Sequence, residues 1–254
     1  MRVYLLGEGI AYSSSPAMHN AAFKALGLDW AYELLDVPAS QLHVVVARLR
    51  EADTRGANVT IPHKQAVMGH LDVVVDDALR ARAVNTIVNE GGKLHGHNTD
   101  IAAIARAAEE VGVDPRGANV VVLGAGGAAR ATAQALPGAH LTFAVRRERT
   151  DVPGRTVPWG DAASATRSAD LLVNATPLGR KEEMPLRPAA LPRAGAVIDL
   201  VYVTGGTPLV RKARSLGLRT VDGWDVLLWQ GARAFELWTG RRAPLEAMRH
   251  TLRP

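Results

Sequence analysis

The chain has 254 residues, of which 47% are hydrophobic and 22% charged, enough apolar material for one large domain or two ordinary ones and too much for a disordered chain. It contains no cysteine, which excludes disulfides, iron-sulfur clusters and thiolate zinc sites, and no metal site is expected. The net charge is +5, but the arginines are spread along the whole length without basic blocks, so small anionic ligands explain the excess and no nucleic-acid partner is expected.

In chain order, the N-terminal "MRVYLLGEGIAYSSSP" has an apolar run too short for a secretion signal, and no later stretch approaches a membrane span. A cytoplasmic protein without a membrane partner is the expectation. Strands are expected at 3–7, 31–37, 57–61 and 85–89, with helices at 16–28, 39–53 and 99–112. The turn "EVGVDPRGA" follows, and the domain boundary is expected close to Ile101. A second series of strands is expected at 119–124, 141–145, 170–175, 196–202 and 218–221. These runs are almost wholly apolar, as parallel strands covered on both faces should be. Helical patterns at 225–239 and 243–252 close the chain, and the pattern alone leaves open which domain they join.

The most specific signal is "VVVLGAGGAARATAQAL" at 120–136, where a buried-type strand ends in Gly124, Gly126 and Gly127 and an alanine-rich helix starts at once. Glycines permit the tight turn and let a pyrophosphate approach the backbone, against the unpaired N–H groups of the helix start. Ala129 stands near the place of the usual third glycine. An NAD enzyme typically carries an acidic residue after the next strand, but here that strand delivers Arg146 and Arg147, two guanidinium groups suited to a phosphate. NADP is therefore the preferred cofactor, weighed against two solvated loop arginines.

The first half holds a polar constellation. "SSSPAMHN" (13–20), "NVT" (58–60), "AVNT" (83–86) and "HNTD" (97–100) place amides and hydroxyls at expected strand ends and helix starts, where open α/β sheets bind ligands. Each has a structural reading as well: Ser15 could cap a helix starting at Pro16, Asn98 or Thr99 the next helix, and Asn58 or Asn85 could satisfy loop backbone. "GANVTIPHK" (56–64) adds Lys64, one of five lysines among thirty basic residues. Where only charge is needed arginine serves, whereas lysine can exchange a proton. Lys64 with Asp100 supplies the proton-exchanging pair that a polyhydroxylated carboxylate substrate would need beside several convergent donors and acceptors.

Taken in order, S-x-S-P-x-x-H-N (13–20), N-V-T-x-P-x-K (58–64), A-V-N-T (83–86), N-T-D (98–100), G-A-G-G-A-x-R (124–130), N-A-T-P-L-G (174–179) and D-L-V-Y (199–202) resemble the shikimate dehydrogenase family over nearly the full chain. The resemblance implies an NADP-dependent oxidoreductase that interconverts 3-dehydroshikimate and shikimate in the route to aromatic amino acids. It implies two α/β domains: a substrate domain with a mixed, mostly parallel sheet, formed by residues 1–101 and 224–254, and a Rossmann domain at 102–223, with the active site in the interdomain cleft. Ser13 and Ser15 would meet the substrate carboxylate, and Asn58, Thr60, Asn85, Asp100 and Gln230 the ring hydroxyls. Lys64 and Asp100 would be the catalytic pair and Tyr202 would face the substrate. Gly124, Ala125, Gly126, Gly127 and Ala128 would hold the pyrophosphate, Arg146, with Arg147 beside it, the 2′-phosphate, and Gly223 would lie near the nicotinamide. The family's Asn-Arg-Thr at the ribose appears here as Val145, Arg146 and Arg147, and "VTGGTPL" and "RKEE" replace its usual loops. A quinate or dual-substrate enzyme using NAD or NADP is the alternative, and a non-catalytic NADP sensor a third reading. The sequence permits a homodimer without specifying one.

Overall fold

The structure is a computed structural model describing residues 1–148 and 151–252. It divides into two compact units, one of Met1–Thr99 with Leu228–Leu252 and the other of Asp100–Leu227. Both joints lie inside helices.

In the first unit, β1 (Arg2–Gly7), β2 (Ala31–Asp36), β3 (Thr54–Val59), β4 (Val73–Val74), β5 (Thr86–Glu90) and β6 (Lys93–His97) form a sheet in the order β2-β1-β3-β5-β6-β4. The β1, β2 and β3 strands are parallel, whereas β5 runs antiparallel to β3 and to β6. Helices α1 (Ser15–Ala25), α2 (Leu42–Arg48) and α3 (Asp76–Ala81) connect them. Leu6, Val46, Val59, Val84, Ile87 and Leu94 are buried in one core cluster. The helix expected at 39–53 is a 3₁₀ turn at Ala39–Gln41 followed by the shorter α2. The hairpin of β5 and β6 turns at Gly91 and Gly92, and β6 escapes sequence periodicity because "KLHGH" holds a glycine and two histidines in place of β-branched residues.

After α4 (Thr99–Glu110), the second unit lays out β7 (Asn119–Leu123), α5 (Gly127–Ala135), β8 (His140–Val145), β9 (Arg155–Pro158), α6 (Ala162–Thr166), β10 (Leu171–Asn174), β11 (Ala196–Asp199), α7 (Pro208–Ser215) and β12 (Arg219–Val221). The sheet order is β12-β11-β10-β7-β8-β9 with every pairing parallel, a Rossmann-like arrangement. Val121, Leu123, Leu172, Val197 and Leu209 belong to its core.

Helix α8 (Gly223–Thr239) begins in the second unit and continues in the first, where α9 (Leu245–His250) packs on α1. The α8 anchor is Trp238, fully buried, whose Nε1–H donates to Ile87 O at 2.9 Å. Gly56 makes this contact feasible: a Cβ there would strike the Ile87 carbonyl and stand 2.9 Å from Trp238 Nε1. Among the described residues no helix is long and apolar enough to cross a membrane.

Candidate active site

Antiparallel β5 brings its amino end to the edge where β3 and β6 have their carboxyl ends, pairing Asn58 with Thr86 and Thr86 with His97. Main-chain bonds stitch this edge together. Val59 N–H donates to Asn85 O (2.8 Å), Asn85 N–H to His97 O (3.0 Å), Thr60 N–H to Leu6 O (2.8 Å) and Val84 N–H to Lys64 O (2.8 Å). Segments 58–64, 84–86 and 97–99, far apart in sequence, therefore become one surface.

Within it runs a buried side-chain network. Asn58 Nδ2 donates to Asn85 O (3.1 Å) and Thr86 Oγ1 (3.0 Å), and Thr86 Oγ1 donates to Asn85 Oδ1 (3.0 Å). The Asn85 amide clasps Thr99 from both sides, with Nδ2 donating to Thr99 Oγ1 at 3.0 Å and Oδ1 accepting from Thr99 N–H at 2.7 Å. Asn98 Nδ2 donates to Ala83 O at 2.8 Å. These side chains are all buried, so their hydrogen bonds must be met inside the protein, and the amides are fixed in direction as a result. Asp100 is the next residue along the chain, in the first turn of α4.

Lys64 lies half-buried in the turn after β3, beyond the cis Ile61–Pro62 peptide. His63 pins that turn: its ring Nε2 is 2.6 Å from Val37 O and its N–H donates to Thr60 O at 2.9 Å. Thr60 is half-buried nearby in the chain. Ser15 is the first residue of α1, not a cap before Pro16, and Ser14 in the cap position makes no side-chain bond to the helix start. Instead the Ser13 hydroxyl accepts from Ser15 N–H at 3.3 Å, which aligns the two serines at the helix start. Gln230 sits half-buried on the part of α8 that belongs to this first unit.

In the second unit, β7 ends in a turn whose glycines differ in purpose. Gly124 has φ +101°, and a Cβ on it would come within 3.1 Å of Thr176 Cγ2 and 3.2 Å of Ala175 O, so the close approach of the segment after β10 favours glycine. Gly126, at the cap of α5, has φ −78°, and a Cβ added there would meet nothing within 4 Å, which leaves its backbone open to a ligand. Gly127 and Ala128 begin α5, and Ala125 is half-buried between the glycines. Arg130 is buried and ion-paired to Asp151, so this motif arginine holds the fold. Arg146 and Arg147 emerge exposed from β8, the neighbour of β7, and make no hydrogen bond or ion pair among the described residues. Open backbone beside two uncommitted guanidinium groups fits a phosphorylated dinucleotide.

The loops after β10 and β11 are tied by a second buried network. Asp199 accepts from Asn174 Nδ2 (2.9 Å), Val201 N–H (3.0 Å) and the Thr207 hydroxyl (2.6 Å). Burial outweighs those donors and pushes its carboxyl up to about 6, with Asp222 adding repulsion. Tyr202 rests on Trp224 with ring centroids 4.8 Å apart, and Trp224 Nε1–H donates to Val203 O at 3.0 Å. Gly223 lies so close to the Val201–Tyr202 backbone that a Cβ would collide with it. Asp222 caps α8, its Oδ1 accepting from Trp224 N–H at 3.1 Å.

Tyr32, Thr86, Asp199 and Thr207 build these sites although sequence reasoning does not single them out, and Thr99 enters that reasoning only as a helix cap. Thr86 and Thr99 lie inside the quoted motifs, but what joins them is a register across three strands that no local pattern displays. Tyr32 leaves no signal, being a strand tyrosine 26 residues from its partner, with its hydroxyl 2.8 Å from Asn58 Oδ1.

Fold and sites together define a class: a two-unit α/β protein with a Rossmann-type second unit and a first unit that carries a polar, side-chain-built site. The description "Shikimate dehydrogenase substrate binding domain" matches residues 5–87, and "Shikimate 5'-dehydrogenase C-terminal domain" matches 223–253. Shikimate dehydrogenase (NADP(+)) of Moorella thermoacetica is 45% identical, covering 99% of this chain and 92% of its own. The crystal structure of shikimate 5-dehydrogenase from Thermus thermophilus in complex with NADP(H) and shikimate superposes with TM-score 0.85 at 38% identity, over 99% of this chain and 98% of that one. Quinate dehydrogenase from Corynebacterium glutamicum in complex with NAD matches with TM-score 0.86 at 31% identity, over 99% and 98% of the two chains. The chain belongs to the shikimate dehydrogenase family.

Proposed function

We propose that the protein catalyses the NADP-dependent, reversible reduction of 3-dehydroshikimate to shikimate. The observation that carries the reading is the buried Asn58–Thr86–Asn85–Thr99 network at the edge where Lys64 is fastened through Val84: an internally satisfied polar frame suited to a polyhydroxylated ring. The naming of the Moorella relative and of the Thermus complex supports both substrate and cofactor.

In this reading residues 1–101 and 224–254 bind substrate and 102–223 the dinucleotide. Ser13 and Ser15 take the carboxylate; Asn58, Thr60, Asn85, Asp100 and Gln230 take the ring hydroxyls. Tyr202 faces the substrate side. The Gly124–Ala128 backbone receives the pyrophosphate, Arg146 with Arg147 receives the 2′-phosphate, and Gly223 lies near the nicotinamide. The dinucleotide, when bound, supplies the hydride. As negative charge grows on the substrate oxygen, the Lys64 ammonium stabilises it and then gives it a proton, while Asp100 orients the ammonium. In the reverse direction the same proton returns to Lys64. The protein works in the cytoplasm, and a homodimer is compatible with this chemistry.

The NAD-bound quinate dehydrogenase among the structural matches supports the second reading, quinate or dual-substrate oxidation. Following nicotinamide absorbance with shikimate or quinate and NADP or NAD separates the two. Fastest turnover of shikimate with NADP is expected; preference for quinate would favour the alternative, and turnover of neither substrate with either cofactor a sensor.

A further inference from the structure

In the second unit every strand is parallel, so all of them start at one edge of the sheet and end at the other. The glycine turn after β7 belongs to the edge where they end. At the edge where they start, the connections into β7, β10, β11 and β12, four adjacent strands, surround a cavity of about 650 Å³. Each of these places delivers one arginine to it: Arg116, Arg167, Arg193 and Arg219. Two of the loops are drawn together, since Arg193 N–H donates to Arg167 O at 3.4 Å, and a Cβ on Gly195 would strike the Asp170 carbonyl.

The carboxylates lining the same space, Asp114 and Asp170, are both engaged. Arg116 holds Asp114 through Nε at 3.2 Å and Nη2 at 2.8 Å, and Asp170 Oδ2 accepts from Asn119 N–H at 2.8 Å. Arg219 gives one N–H to Gly112 O at 3.3 Å. Arg167 and Arg193 are exposed and form no side-chain hydrogen bond or ion pair among the described residues. Four guanidinium groups against two carboxylates leave the cavity with a surplus of two positive charges. Its lining has no aromatic residue and nothing apolar larger than valine, so a nucleobase has no ring to stack on. Guanidinium groups match phosphate oxygens in pairs, and a pyrophosphate presents oxygens on all sides to arginines arriving from separate loops, as one planar carboxylate cannot.

We propose that this cavity is a binding site for a small, multiply charged phosphate ion, separate from the dinucleotide turn of the same unit. Calorimetric titration of the intact protein with sodium pyrophosphate tests it, with NADP present at saturation to fill the glycine turn. The wild type should bind one equivalent, more weakly as salt rises. Arg167→Ala/Arg193→Ala should weaken this binding about tenfold or more and leave the Kd for NADP within about twofold. Asp114→Asn, which releases Arg116, should strengthen it about threefold, a gain that damage to the fold does not imitate. ADP should bind about as well as pyrophosphate, because the phosphates alone are read. The proposal is overturned by no binding to the wild type at about 1 mM pyrophosphate, by affinity unchanged in the double variant or in Asp114→Asn, or by a preference for ADP beyond about tenfold. Neither Arg167 nor Arg193 belongs to the proposed substrate or dinucleotide sites, so this result and the shikimate assay stand or fall separately.

Discussion

The two ligand-facing edges of this protein are built on opposite plans. In the first unit, recognition is assigned to side chains, and Tyr32, Asn58, Asn85, Thr86 and Thr99 are buried and locked to one another before any ligand arrives. In the second, recognition is assigned to backbone and to open space, with Gly126 exposed and Arg146 and Arg147 reaching into solvent. In the proposed reading, the difference follows from what each edge would bind. A polyol ring is told apart from its relatives by the direction of each hydrogen bond, so its partners must not rotate. A pyrophosphate is recognised by charge and by N–H groups that a helix start already presents.

If the first edge is rigid because its core is, acid should break it hardest. His19 is fully buried under Tyr32 and Trp238 with neither ring nitrogen hydrogen-bonded, and burial pushes its pKa down to about 3. The folded pKa lies below the unfolded 6.5, so the stability it confers is complete above pH 6.5 and drains as pH falls toward 3, by up to about 5 kcal/mol. Urea melts across that range should show the loss, and His19→Phe should largely flatten it. An unaltered pH slope in that variant would mean the ring is hydrated or paired.

The second unit should answer to pH with the opposite sign. Asp199, raised to about 6 from 3.8, contributes stability that is present below pH 3.8 and is lost as pH rises through about 6, on the order of 3 kcal/mol. In His19→Phe this inverted slope becomes visible, and Asp199→Asn should abolish it. If stability there rises with pH, the buried carboxylate is solvated more than its surroundings indicate.

The glycine turn gives a sharper contrast at smaller cost. Gly124→Ala forces a side chain into φ +101° against Ala175 and Thr176 and should destabilise by about 2 kcal/mol in thermal or urea melts. Gly126→Ala should leave stability within about 0.5 kcal/mol and raise the cofactor KM about tenfold, since its Cβ enters ligand space alone. Equal effects of the two changes would erase the distinction drawn between them. Smallest is the Arg146→Asp effect, expected to weaken NADP by about tenfold while sparing NAD; equal losses would show that the residue reads something other than the 2′-phosphate.

How much of this is legible in the sequence depends on distance along the chain. The strand, glycines and helix at 120–136 are contiguous, so their purpose shows in one quoted line. Asn58 and Asn85 are also visible as polar residues at strand ends, and Asp100 at a helix start. What holds them is not, because Tyr32 to Asn58, Thr86 to Thr99 and Asn174 to Asp199 to Thr207 are contacts made by sheet register and helix placement. The β6 strand escapes for a different reason, being a short segment whose histidines and glycine break simple periodicity.

Whether the proton of Lys64 moves is the central question, and replacing the residue two ways measures that most directly. With shikimate and NADP, Lys64→Ala should lower kcat by roughly 10² to 10⁴ with little change in KM, and Lys64→Arg, which keeps the charge but holds its proton, should lose nearly as much. A Lys64→Arg enzyme with near-normal kcat would contradict proton transfer from this residue, leaving Lys64 a source of positive charge and nothing more.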